Sequence, residues 1–463
     1  MKDKRYNSIN EVLDQIKKAY GHLFKQYDVN NRLLNDKNKG RLGQIVEEGI
    51  LGYGINSNPK PDLENLGVEI KTSGLIKTKK GYSAKERLTI DSLNYCDIIS
   101  FSFENSPVWE KMQKMLIVLY IYEKGITYGD MKIVDSFYNQ FPKEDLFIIK
   151  DDYNKIVKKI KDGQANNISE SDTMYLGACT AGKGDLIKQP YSDIKAKQRK
   201  FCLKQSYFSN LVKTYLNKSK YEHIFPTVDL SNLSFGELVV NELSKFYGIS
   251  EEEIQNKFKI ISKSKSRYNI YIARMLKIKG NINETNEFLK ANIKIKTIRI
   301  GSNSKIKESM SFPQIDFCEL ARQDFEESDV RDMFENQKFL FCVYKEKNGK
   351  VYFDNAFFWN MPENIIDEHV RRVFERTKEL LLSGNIVKEI KYNRDGKPIR
   401  INNFPGKSFD DYVHVRPHGL NANDTIALPV PDKLTGAKCY TKQCFWLNNS
   451  YVLEIIKNNK IRS

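Results

Sequence analysis

Apolar residues recur at helical spacing over residues 8–26, "SINEVLDQIKKAYGHLFKQ", where Ser8 and Glu11 carry the signature of a capping box. The spacing predicts one helix there and another over residues 39–54, "KGRLGQIVEEGILGYG", ended by its glycines. "GVEIKT" (67–72) and "MLIVLYIY" (115–122) read as strands, the second as a buried one. "EDLFIIKDDYNKIVKKIKDG" (144–163) reads as a strand followed by a basic helix, and "KFCLKQSYFSNLVKTYL" (200–216) closes the first half. This alternation of helices and strands is an α/β pattern. Residues 217–231 lack a clear period and contain Pro226, so the domain boundary is placed there, between domains spanning 1–218 and 231–463.

The second half then echoes the first. "LSFGELVVNELSKFYGI" (233–249) follows "GRLGQIVEEGILGYGI" (40–55), and "ANIKIKT" (291–297) follows "LGVEIKT" (66–72). "KESMSFPQIDF" (307–317) matches "KERLTIDSLNY" (85–95), and "VRDMFENQKFLFCVYKEK" (330–347) matches "PVWEKMQKMLIVLYIYEK" (107–124). "DDYVHVRPHG" (410–419) answers "DTMYLGACTAG" (172–182), and "FWLNNSY" (445–451) answers "FCLKQSY" (201–207). Because the echoes keep their order, they predict two copies of one fold with different loop lengths. The alternative is two unrelated α/β domains.

A length of 463 residues fits two or three domains, and 40% hydrophobic and 12% aromatic content is enough to give each a packed core. Lys and Arg number 75 against 59 Asp and Glu, a formal charge of +16. That balance points to a polyanion such as nucleic acid, or to a Lys-rich composition alone. The seven cysteines show no CxxC spacing, which argues against a zinc ribbon and fits a reducing cytoplasm. The N-terminus has no apolar signal region, and the longest apolar run is too short to span a membrane.

Chemistry concentrates in "NPKPDLENLGVEIKT" (58–72). Glu69 and Lys71 are two apart on a strand and share a face, with Val68 and Ile70 on the other. Gly67 permits a turn that returns Asp62 to Glu69. Cleaving a phosphodiester needs acidic groups for a hard cation and a further cation to steer water, which this set could supply. Taken alone, the same spacing also suits a solvated strand face.

The flanking letters carry a resemblance. "PDLENLGVEIKT", "NKGRLGQIVEEGILG" (38–52) and "SPVWEKMQKMLIVLYI" (106–121) resemble MutH, the mismatch-repair endonuclease that cuts at GATC, and the two-domain type II restriction endonucleases related to it. "YLGACTAGKG" and "FCLKQSYFSNL" match the later DNA-contacting segments more loosely. The resemblance implies two tandem MutH-like folds, each a mixed central sheet flanked by helices. It makes Asp62 and Glu69 ligands of Mg²⁺, with Mn²⁺ as a substitute, and Glu47 an outer acid. It makes Lys71 the residue that orients or deprotonates water, and Lys111, or failing it Lys114, a second functional lysine near the phosphate. Arg87, Lys183, Lys200 and Lys204 become candidates for contact with double-stranded DNA. Cys179, Thr180 and Ala181 replace an Arg-Pro-Lys motif, and Cys202 replaces a tyrosine tied to methylation sensing, so methylation preference does not carry over.

In the second copy Val240 faces Glu47, Lys294 faces Glu69, Lys296 faces Lys71, and Glu287 falls near Asp62. A lysine where a carboxylate should bind a cation opposes binding by on the order of a few kcal/mol in a partly buried site. This copy is therefore expected to bind DNA without cutting it, through Arg416 and His418 of "YVHVRPHG". The expected protein is a cytoplasmic restriction endonuclease acting at GATC, monomeric in solution and pairing on DNA, with the C-terminal half regulating cleavage. A strand-nicking repair enzyme and a non-catalytic DNA-binding protein are the alternatives.

Overall fold

The computed structural model describes residues 6–55, 60–78, 81–181, 185–217, 221–225, 233–262, 264, 267–306, 309–392, 395–396 and 398–460. The chain divides into two compact units, Met1–Phe235 with Gly280–Ile293, and Gly236–Lys279 with Lys294–Ser463. This departs from a simple division into 1–218 and 231–463, because Gly280–Ile293 joins the first unit. The reason lies in buried polar bonds. Lys290 Nζ reaches both carboxylate oxygens of Asp145 at 2.7 and 2.8 Å, and the Ser206 hydroxyl donates to the Lys290 carbonyl at 2.9 Å.

The first unit begins with helix α1 (Ile9–Lys17), where the Ser8 hydroxyl accepts the Glu11 N–H at 3.3 Å. The periodicity over 8–26 predicted a longer helix. Gly21, at φ +82°, instead turns the chain into a 3₁₀ segment at Phe24–Tyr27. Helix α2 (Arg41–Ile45) runs on without a break into a π-helical turn, Val46–Leu51, which ends at Gly52. Strands β1 (Glu69–Thr78), β2 (Gly81–Ala84) and β3 (Leu88–Leu93) follow, then helices α3 (Tyr95–Ile98) and α4 (Pro107–Met112). After them come strand β4 (Met115–Ile121), strand β5 (Ile133–Asn139) and helix α5 (Lys143–Lys161). Strands β6 (Leu176–Thr180), β7 (Leu186–Gln189), β8 (Ser192–Lys197) and β9 (Arg199–Leu203) lead to helix α6 (Gln205–Asn217).

Helix α5 corrects the strand expected near residue 146. Ile148, Ile149, Asp152, Tyr153, Ile156, Val157 and Ile160 are buried at helical spacing, so "LFII" is one turn of a single amphipathic helix. The central sheet has the order β2-β1-β4-β5, with β1 parallel to β4 and the outer pairs antiparallel. A second sheet, β3-β9-β6, is antiparallel. Val68, Ile70, Leu116 and Val118 enter a core with Leu42, Ile45, Val46 and Ile50 of the α2 segment. This packing sets α2 and its π turn beside the start of β1.

The second unit has two three-stranded sheets whose order matches β1-β4-β5 and β3-β9-β6, without a described strand in the place of β2. Ile293–Ile300, Lys338–Lys347 and Lys350–Trp359 form one, and Met310–Gln314, Gln443–Leu447 and Val413–Pro417 form the other. The described architecture is α+β throughout.

Gly49 has no room for a side chain, since a Cβ there would lie 1.8 Å from the Tyr27 carbonyl oxygen. Gly49→Ala must push the π turn off the 3₁₀ segment, and it is expected to destabilise the fold by at least about 1–3 kcal/mol. Thermal or urea unfolding measures this, and wild-type stability in the variant would contradict the packing described.

Candidate active site

Glu69 is the first residue of β1, and its N–H donates to the Lys114 carbonyl at 3.0 Å. Its side chain is buried. Oε1 takes Lys71 Nζ at 2.8 Å, while Oε2 is buried without a hydrogen-bond partner. Asp62 returns to this point through a tight turn closed by the Leu63–Val68 bridge, with Gly67 at φ +64°. Its Oδ2 accepts the Ile70 N–H at 2.8 Å, so the turn does what the spacing predicted.

Glu47 projects from the π turn. Burial, and then the charges of Asp62, Glu69 and Glu48, push its carboxyl up to about 8, against the pull of Lys71. Burial and Glu69 push Asp62 up to about 6, although the Ile70 N–H, Lys71 and Lys111 all favour its ionised form. Glu48 is turned away, with its carboxylate forked onto Arg32 at 2.7 and 2.9 Å. The π turn thus separates the two adjacent glutamates, with Glu47 toward the carboxylates and Glu48 on Arg32.

Two lysines complete the cluster. Lys71 Nζ also donates to the Ile90 carbonyl at 3.2 Å. Lys111 lies in the last turn of α4, whose first turn is capped by Ser106, and its Nζ meets Asp91 Oδ1 at 2.9 Å. Burial pulls the Lys111 ammonium down, but the bond and charge of Asp91, with Glu69 and Asp62, outweigh it and the net shift is upward. Lys111 is therefore in electrostatic reach of both carboxylates. Among the described residues no three His, Cys, Asp or Glu side chains form a ready-made metal cage. Two carboxylates suffice for Mg²⁺, which keeps waters and substrate phosphate among its ligands.

The residues considered for DNA contact fare differently. Lys200 is exposed on β9. Arg87 is half-exposed and ion-paired with buried Glu170. Lys183 lies outside the described residues. Lys204 is a correction, because it is 5% exposed and its Nζ donates to the Thr173 carbonyl at 2.6 Å. A buried ammonium committed to the backbone does not face DNA.

In the second unit Arg416 and His418 are exposed and converge on Trp446. The guanidinium lies 5.0 Å from the ring centre and the imidazole meets it edge-on at 5.4 Å. Glu287, expected near an Asp62-like position, instead belongs to the first unit and bonds His223 at 3.0 Å and the Ile224 N–H at 3.1 Å. Asp91 and Trp446 escaped the sequence reading. Their signal was faint: an acid inside an alternating strand, and an aromatic in a segment whose echo has Cys202.

Among the described residues no helix is long and apolar enough to cross a membrane. The family described as DNA mismatch repair enzyme MutH matches residues 51–152, which hold Asp62, Glu69, Lys71, Asp91 and Lys111. DNA mismatch repair protein MutH of Shewanella woodyi is 28% identical over 133 residues, covering 29% of this chain and 56% of that protein. MutH of Shewanella putrefaciens is 26% identical over 166 residues, covering 35% and 73%. The type II restriction enzyme Sau3AI of Staphylococcus aureus is 32% identical over 458 residues, covering 91% of this chain and 93% of that enzyme. With that likeness running nearly end to end, and with the MutH match falling on the carboxylate–lysine cluster, the chain belongs to the MutH-related type II restriction endonucleases.

Proposed function

We infer that this endonuclease uses Mg²⁺, or Mn²⁺ in its place, to cut both strands of duplex DNA at 5′-GATC. The observation that carries the reading is the charge imbalance at the start of β1. Glu47 and Asp62 are both pushed toward their neutral forms, and Glu69 keeps an unpartnered buried oxygen. That pocket suits a hard divalent cation. Asp62 and Glu69 would hold it, with Glu47 outside them. Bound there, the ion supplies positive charge against the scissile phosphate and acidity to water. Lys71, fixed between Glu69 and the Ile90 carbonyl, orients the attacking water, and Lys111 faces the phosphate. The GATC sequence rests on the likeness to the MutH-related enzymes.

The second unit is read as a DNA-binding regulator. Lys294 stands where Glu69 stands in the first, and exposed Arg416 offers a positive charge with exposed His418 close by. One cleavage site per chain addresses one strand of a palindrome at a time, so a monomer in solution pairs on DNA for a double-strand cut. The free state of the cysteines supports a cytoplasmic location.

Plasmid DNA incubated with Mg²⁺ is expected to yield linear fragments ending at each GATC. Nicked circles alone would favour a strand-nicking enzyme, and no cutting in Mg²⁺ or Mn²⁺ a binding protein. Glu69→Ala is expected to abolish cutting while duplex affinity stays within about twofold, since one lost contact of a ligand costs orders of magnitude in rate.

The raised carboxyls set a pH dependence. Each holds its proton to higher pH in the folded than in the unfolded chain. The stability this confers is present at acid pH and lost as pH rises through about 6 for Asp62 and about 8 for Glu47. Metal uptake needs the ligand Asp62 ionised, and an ionised Glu47 beside it adds negative charge that favours the cation. The Mn²⁺-induced rise in Tm is therefore expected to be small at acid pH and to grow into alkaline pH, and a flat profile counts against the cluster as the metal site.

Replacing Arg416 and His418 together by Ala is expected to weaken duplex binding and lower the slope of log affinity against log salt by about 1. Anisotropy titrations at several salt concentrations measure both. Unchanged affinity and slope would remove these residues from the DNA interface.

A further inference from the structure

Strand β3 is irregular at the cluster. Thr89 pairs with Cys202 and Asp91 with Phe201, so Ile90 is an extra residue with no partner on β9. An inserted residue switches the faces of the side chains after it. By simple alternation Asp91 would follow exposed Thr89. After the bulge it shares the inner face of Leu93 and Phe201, both buried. There it meets Lys111, with the two side chains only 22% and 17% exposed. The carbonyl of Ile90 holds Lys71. Two consecutive residues of one bulge thus hold both lysines.

The echo in the second unit serves as an internal control. In the order of the repeat, Ile90, Asp91 and Lys111 correspond to Phe312, Pro313 and Phe334. The strand Met310–Gln314 also breaks register, between Ser311 and Gln314, and Lys296, the counterpart of Lys71, donates to the Ser311 carbonyl at 2.9 Å. Lys296 thus also bonds a carbonyl of the irregular strand, one position earlier than the counterpart of Ile90, beside Lys294 where no cation site is expected, so a lysine bonded to this strand is a scaffold feature. The ion pair does not persist. Phe334 instead packs on Phe312 with ring centres 4.3 Å apart. The same junction of helix and strand is filled by hydrocarbon where the carboxylate at Glu69 is also lost.

We propose that Asp91 is a positioning residue for DNA cleavage, its carboxylate holding the Lys111 ammonium at the end of α4 where the scissile phosphate must lie. The proposal rests on the reading of Asp62, Glu69, Lys71 and Lys111 as the cleavage site. Asp91 itself does not touch the substrate. It removes the rotamer freedom of a long side chain before DNA arrives.

The test compares wild type, Asp91→Asn, Asp91→Glu, Lys111→Met and the double variant Asp91→Asn/Lys111→Met. Single-turnover cleavage of a short GATC duplex is measured with saturating Mg²⁺, alongside duplex affinity in Ca²⁺ and Tm. Asp91→Asn is expected to slow cleavage by roughly 10- to 100-fold, as a misplaced catalytic group does. Affinity should stay within about twofold, and Asp91→Glu should recover part of the rate. The double variant should be no slower than Lys111→Met alone, because Asp91 acts through Lys111. A merely structural residue would give additive losses or a fall in affinity and Tm, and either result overturns the proposal. So does a wild-type rate in Asp91→Asn beside a slow Lys111→Met. If Lys111→Met cuts at the wild-type rate, the reading of the site fails, and the proposal with it. Should Asp91→Asn not fold, a Glu variant that cuts no faster than Lys111→Met overturns it equally.

Discussion

Carboxylates repel one another most where water is scarce, and the start of β1 gathers Glu47, Asp62 and Glu69 in such a place. Burial is the largest cause of the upward shift of both Glu47 and Asp62, and mutual repulsion adds to it. A fold optimised for stability alone would not leave Glu69 Oε2 buried and unpartnered, since a lost partner costs about 1–3 kcal/mol or more for a charged group. The rest of the first unit can be read as the scaffold that holds this unfavourable cluster together. The parallel pairing of β1 with β4 fixes Glu69, the Ile70 N–H fixes Asp62, and Lys71 and Lys111 soften the field without cancelling it.

Three departures from regular structure help to aim the cluster. A π turn carries Glu47 inward and sends Glu48 to Arg32. A left-handed glycine closes the turn that returns Asp62. A bulge turns Asp91 to Lys111 and exposes a carbonyl to Lys71. Regular helices and strands place side chains at fixed periods, whereas a constellation of five groups from four segments needs offsets those periods do not provide.

That explains which parts were legible in the sequence. Period-two alternation and a run of apolar residues are local, so "GVEIKT" and "MLIVLYIY" were readable as β1 and β4, and Gly67 announced its turn. Asp62, Glu69 and Lys71 came together because their spacing is short. Helix α5 was misread because "LFII" taken alone suits a strand, and only the recurrence of buried residues out to Ile160 decides for a helix. Lys204 was misplaced because a lysine is exposed by default, and its burial depends on a carbonyl thirty-one positions away. Asp91 was invisible because a bulge is defined by the partner strand, and β9 lies more than a hundred residues further on. Glu287 and Lys290 were read with the second copy, yet their partners His223 and Asp145 lie in the first unit.

The second unit shows what such a scaffold becomes without the cluster. Its two three-stranded sheets match β1-β4-β5 and β3-β9-β6 in order, and Lys296 bonds a carbonyl of an irregular strand. Burial lowers the Lys296 ammonium, with Lys294 acting in the same direction, and no carboxylate is among the causes of its shift. Where the first unit sets Lys111 against Asp91, the second has Pro313 in place of the acid and Phe334 packed on the neighbouring Phe312, which needs no compensating charge. Replacing a buried ion pair by well-packed apolar groups is often neutral or stabilising. The first unit's retention of its half-buried pair is therefore poorly explained by stability, and better explained by the need to keep an ammonium beside Asp62 and Glu69.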